Sequence, residues 1–94
     1  MANKSDVSKL ALEVRNFARL HAYKVEKGIE SRHTAALFVQ EYGKGMSETA
    51  MRVLELDEPP KVLTDIISEE AKKIDPTFTP DLPKGRSGRR RRIG

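Results

Sequence analysis

Between Val7 and Val25 the apolar residues Val7, Leu10, Ala11, Val14, Phe17, Ala18 and Val25 recur at steps of three and four, with Lys9, Glu13, Asn16, Lys24 and Lys27 opposite them. That spacing constrains the fold more than any other feature of the chain. It is the period of an α-helix with one face on a core, whereas a strand alternates with period two. Ser5 is placed to cap this helix and Asp6 to sit in its first turn. Gly28 is placed to end it in the left-handed conformation that glycine adopts without a β-carbon clash.

The same reading extends down the chain. Ser31 caps a second helix to about Tyr42, whose interior Ala35-Ala36-Leu37-Phe38-Val39 is apolar on more than one face and is expected to be the most buried segment. Gly43-Lys44-Gly45 reads as a break, because paired glycines disfavour helix and supply positive φ. Ser47 then restarts a short helix through Ala50, Met51, Val53, Leu54 and Leu56. Pro59-Pro60 opens a fourth, since first-turn amides have no intrahelical acceptor to lose. Its stripe is Val62, Leu63, Ile66, Ile67, Ala71 and Ile74, Glu69 and Lys73 form an i,i+4 pair, and Asp75-Pro76 ends it.

After Pro76 the composition changes: Pro76, Pro80 and Pro83 punctuate a stretch in which only Phe78, Leu82 and Ile93 are large and apolar, with Phe78 and Leu82 placed to pin its start to the body. The expected fold is all-α, a small bundle of about four helices. Residues 1–75 form the helical body and residues 76–94 an extended, arginine-rich C-terminal tail.

Charge divides the chain at the same place. The net charge is +4, yet Lys84, Arg86, Arg89, Arg90, Arg91 and Arg92 all fall in the last eleven residues, which contain no acid. Residues 1–83 carry 12 basic and 14 acidic side chains, a net charge of −2. A basic protein that coats nucleic acid with its fold would spread this charge; here it is confined to an arm. Arginine's planar fork pairs bidentately with phosphate and stacks on bases, and the interspersed glycines and serine let a backbone follow a groove. Those six side chains are the expected nucleic-acid-binding residues, for RNA or DNA.

Other chemistries find little support. The chain has no cysteine, so it needs no oxidising compartment, and the expected location is the cytoplasm or the interior of a virion or nucleoprotein particle. The start, Met1 to Asp6, lacks the apolar stretch of a secretory signal, and no run of about 18 apolar residues suits a membrane span. Glu30-x-x-His33 is half of a carboxylate-bridged metal motif without its second half, and His21 lies on the apolar stripe of the first helix. The serines sit mostly where caps or the tail belong, and Gly43-Lys44-Gly45 lacks the length of a phosphate-binding loop. No catalytic residue, metal ligand or cofactor is expected.

A helix-turn-helix over residues 34–56 would use Val39 to Gly43 as its turn and Ser47 to Leu56 as its reading helix, but that helix sets Glu48, Glu55 and Asp57 against a lone Arg52. The leading expectation is instead a non-catalytic subunit or accessory protein of a larger assembly. Its body docks on a protein partner through Phe38, Tyr42, Met46 and Met51, exposed around the glycine turn, and its arm engages phosphates. A structural or adaptor protein, for instance of a phage particle, whose tail enters an acidic protein groove is the alternative. A small helix-turn-helix DNA-binding regulator is the second.

Overall fold

Three apolar stripes, each in phase with a helical repeat, close on one another in the computed structural model, which describes residues 4–82. The chain is all-helical, with α1 Lys4–Glu26, α2 Arg32–Leu54 and α3 Lys61–Ile74, and no strand among the described residues. Every helix packs against both others. Phe17 and His21 of α1 meet Tyr42 and Phe38 of α2, so these two run antiparallel, while Arg15 meets Glu70 and, further on, Val25 and Glu26 line one hollow with Lys73 and Ile74, so α3 runs parallel to α1. Val14, Ala18, Ala35, Ala36, Val39, Leu63, Ile67 and Ala71 are sealed from solvent at the centre.

The expected break at Gly43 to Gly45 does not occur, and the two middle helices of the four-helix expectation are the single helix α2. The reason lies in the stripe. Ala36, Val39, Gly43, Ser47 and Ala50 are all buried, and their steps of three and four carry one face through the glycines without a phase change. Gly43 lies directly against α3: a β-carbon there would overlap Cγ1 of Ile67 and lie 2.7 Å from its Cδ1. Interhelical packing outweighs the helix propensity that each glycine forfeits, about 1 kcal/mol relative to alanine. With the turn goes the helix-turn-helix geometry, since residues 34–54 lie within one rod. Ser47 restarts nothing; it is a mid-helix core residue whose hydroxyl has no hydrogen-bond partner. In the segment expected to be most buried, Ala35, Ala36 and Val39 are buried, but Leu37 is 39% and Phe38 44% exposed.

The helix ends follow local chemistry. Gly28 has φ 75° and closes α1 as expected, with its amide donating to the Val25 carbonyl and the Ile29 amide to that of Lys24. Ser31 caps α2, its Oγ accepting from the Thr34 amide at 3.1 Å. At the other end Glu55 adopts the left-handed conformation, φ 56°, and the Leu56 amide reaches back to the Met51 carbonyl. Pro60 precedes α3, and its carbonyl accepts from the Leu63 and Thr64 amides. Lys73 pairs with Glu70, one turn away, at 3.4 Å; Glu70, nearly buried, also receives Arg15 from α1 at 3.5 Å.

Beyond α3 the chain turns and lies along α2. Asp75 Oδ1 accepts from the Thr77 amide and hydroxyl at 3.1 and 2.7 Å, and the Phe78 amide donates to the Asp75 carbonyl. This turn drops Phe78 into the core beside His33, with Leu82 half-buried further on. The Asp81 amide donates to Oε1 of the buried Gln40, and the Asp81 carboxylate receives Lys44 at 3.3 Å. Residues 75–82 therefore form a strap that carries the chain from the end of α3 to the middle of α2.

Candidate interaction surface

The aromatic seam between α1 and α2 is the richest feature outside the sealed core. Phe17 stacks on Tyr42 with ring centroids 4.2 Å apart, and the His21 ring lies 4.5 Å from Phe17 and 5.3 Å from Phe38. His21 Nδ1 is 2.6 Å from Glu30 Oε1, both groups being largely buried, so the loop between the helices is tied to the face of α1. Nothing in the sequence pattern signalled this pair, because Glu30 lies nine residues downstream in a loop whose path the helical period does not set. Glu30 thus turns to His21, while His33 faces Asp75 and Phe78, and the Glu30-x-x-His33 spacing does not gather its two ends. Among the described residues no three His, Cys, Asp or Glu side chains form a cluster suited to a metal ion.

Of the four residues expected to dock a partner, Phe38, Tyr42 and Met46 share one side of α2 at four-residue spacing, with Phe38 exposed and the other two half-buried. They reach the surface on a helix face rather than around a turn. A shallow apolar depression lined by Glu41, Tyr42, Gly45, Met46 and Thr49 lies beside them. Met51 belongs elsewhere, in a shallow hollow with Glu48, Arg52 and Glu55. The periodicity did not signal the exposed Leu12, Leu20 and Tyr23 on α1, because they lie off its core-facing stripe; Val62, expected in the stripe of α3, and Val53, expected on the apolar side of a short helix, are 50% and 66% exposed. Lys84, Arg86 and Arg89 to Arg92 lie outside the described residues.

The titration of Asp75 is clearly displaced by its surroundings. Hydrogen bonds from the Thr77 hydroxyl and amide hold its carboxyl below the ordinary value of 3.8, with smaller help from the charges of His33 and Arg32 and partial opposition from burial. Its role is structural, since it shapes the strap. No helix is long and apolar enough to cross a membrane among the described residues. No family model, curated protein or solved structure matches the chain. Over the described residues the fold is all-α with three helices and an aromatic seam, and the sequence after it is basic.

Proposed function

We propose that this chain is a non-catalytic, nucleic-acid-associated accessory protein that docks through its helical body and binds phosphates with its C-terminal arm. The observation that carries the reading is the segregation of charge: all of the net positive charge falls in residues 84–94, while residues 1–83 are slightly acidic. A solvated body surface of net charge −2 gains nothing from approaching a polyanion, so the attraction is assigned to the arm. The strap supports this division of labour, since Phe78 in the core and the Asp81 amide on Gln40 fix the chain three residues before Lys84. The strap ends on the Gln40 and Lys44 side of α2, while Phe38 and Tyr42 lie on the other side, against α1, so docking and phosphate binding are assigned to separate parts of the molecule.

Replacing Arg89 to Arg92 by alanine in the full chain tests the assignment. Retention of a generic RNA or DNA duplex on a gel should be lost, while the helical circular dichroism signal and melting temperature stay within error of the parent. Loss of fold would contradict the division into body and arm. Undiminished binding would contradict the role of the arginines.

A further inference from the structure

Gly45 has no explanation among the described residues. Gly43 is required by Ile67, but a β-carbon at Gly45 would meet nothing within 4 Å, and its φ is not in the left-handed region that favours glycine. A bare glycine in the middle of a 23-residue helix forfeits about 1 kcal/mol of helix propensity, with no intramolecular contact to offset it. Glycine on an exposed helix face does allow one thing that alanine hinders, the close approach of another backbone.

The residues around Gly45 form a seam. Phe38, Tyr42, Gly45, Thr49 and Arg52 follow one another at steps of four, three, four and three, the spacing with which one helix presents a continuous edge to another. Phe38, Gly45, Thr49 and Arg52 are exposed and Tyr42 is half-buried against Phe17. The seam is symmetric about Gly45, seven residues from Phe38 on one side and seven from Arg52 on the other. Laid antiparallel on a copy of itself, it brings glycine to glycine at the centre and Phe38 to Arg52 of the second copy at each end.

We infer that this chain forms a two-fold homodimer through α2, centred on Gly45. Charge complementarity selects a second copy as the occupant. Glu41 and Arg52 lie eleven residues apart, about three turns, and so fall on one line along the helix. In an antiparallel two-fold pair that line faces its own copy, so Arg52 of the second copy meets both the Glu41 carboxylate and, one turn away, the Phe38 ring. Each dimer makes this contact twice. Arg52 has no ion pair with another of the described residues, and the Glu41 side chain is 57% exposed, its Oε2 accepting from Gln40 Nε2 at 2.8 Å with Lys44 3.9 Å away. The outer face of α1 also exposes Leu12, Leu20 and Tyr23, but α1 contains no glycine at which a second backbone could approach closely. The seam spans about 21 Å of helix.

The inference takes up the docking half of the proposed function and is independent of the arm. Its test uses the full chain, which contains no cysteine. Gly45→Cys introduces one thiol at the predicted dyad, in space that is open in the monomer, and Val62→Cys places a control thiol on exposed α3. Sedimentation should give a dimer for the parent. Mild oxidation should cross-link Gly45→Cys at least about tenfold faster than Val62→Cys, because a disulfide needs α-carbons within about 7 Å. Arg52→Glu should weaken the dimer about tenfold or more, and adding Glu41→Arg should restore most of the affinity. A monomeric parent overturns the inference, as does a dimer in which the two thiols cross-link at equal rates or the charge swap fails to restore association. The seam would then belong to a different protein. Nucleic-acid binding, measured separately on the same samples, reports on the arm whichever result is obtained.

Discussion

The two glycines of α2, one residue apart, should respond to alanine with opposite signs. At Gly43 the new methyl would overlap Cγ1 of Ile67, a side chain with no solvent exposure. Cγ1 is fixed to the branched β-carbon and moves only if χ1 leaves its well or the helices part. Overpacking of this kind costs about 1–3 kcal/mol, and the near-complete overlap places it toward the upper end. The gain in helix propensity returns about 1 kcal/mol, so Gly43→Ala should destabilise by about 1–2 kcal/mol net. At Gly45, measured at a dilution where the monomer predominates, the same change meets empty space and should stabilise by about 0.5–1 kcal/mol. Ile67→Ala alone should cost about 2–5 kcal/mol as a buried cavity. In that background the methyl at position 43 no longer clashes, and Gly43→Ala should become stabilising by about 1 kcal/mol, a reversal that only direct contact produces. Thermal unfolding followed by circular dichroism resolves these differences, since 1 kcal/mol moves the midpoint of a domain of this size by about 4–8 °C. Equal responses at Gly43 and Gly45, or an unchanged Gly43→Ala effect in the Ile67→Ala protein, would refute the close approach of α2 and α3.

Three further outcomes follow from the same geometry. Ser47→Ala removes a buried hydroxyl that has no partner and should raise stability by about 1 kcal/mol in urea unfolding, whereas a loss of similar size would mean that the hydroxyl is satisfied. Ile66→Asp should abolish the cooperative melt by placing a charge in the core, while Leu37→Asp, on the solvent side of α2, should shift the melt by less than about 1 kcal/mol; equal damage would contradict the orientation of α2. The carboxyl of Asp75 titrates lower folded than unfolded, so below 3.8 the unfolded chain binds more protons, and the stabilisation present above that value fades as pH falls through the folded-state value. Asp75→Asn should therefore flatten the dependence of melting temperature on pH below about 4, and an unchanged slope would assign the acid response to other carboxylates.

Much of the fold is legible in the sequence because helical periodicity is a local signal. The stripes of α1 and α3, the Ser31 cap, the left-handed Gly28 and the anchoring of Phe78 can all be read from residues a few positions apart. The number of helices was not legible in the same way. Gly43 and Gly45 look like a break when weighed by propensity alone, and only the position of Ile67, some twenty residues on, shows that Gly43 is an interhelical contact. Leu37 and Phe38 illustrate a related loss of information. An apolar run with no polar side gives no phase, so it cannot say which of its residues face out. The His21–Glu30 and Gln40–Asp81 contacts were hidden because each joins a helix to a segment without a period. Phe38, Tyr42 and Met46, the residues proposed for docking, stand out in the sequence as large apolar side chains near the glycines, but they lie along one helix and not around a turn. The phosphate arm rests on composition, which is informative about charge and silent about path.

The central claim, that residues 84–94 bind nucleic-acid phosphates, is tested most directly by a salt titration of binding to a generic RNA and a generic DNA duplex, comparing the full chain with one ending at Pro83. Six cationic contacts to duplex DNA should give a log–log slope of about −5, a roughly thousandfold loss of affinity between about 50 and 200 mM salt. The account predicts this slope for the full chain and its disappearance on truncation. A slope that survives truncation, or no binding by the full chain at low salt, would contradict it.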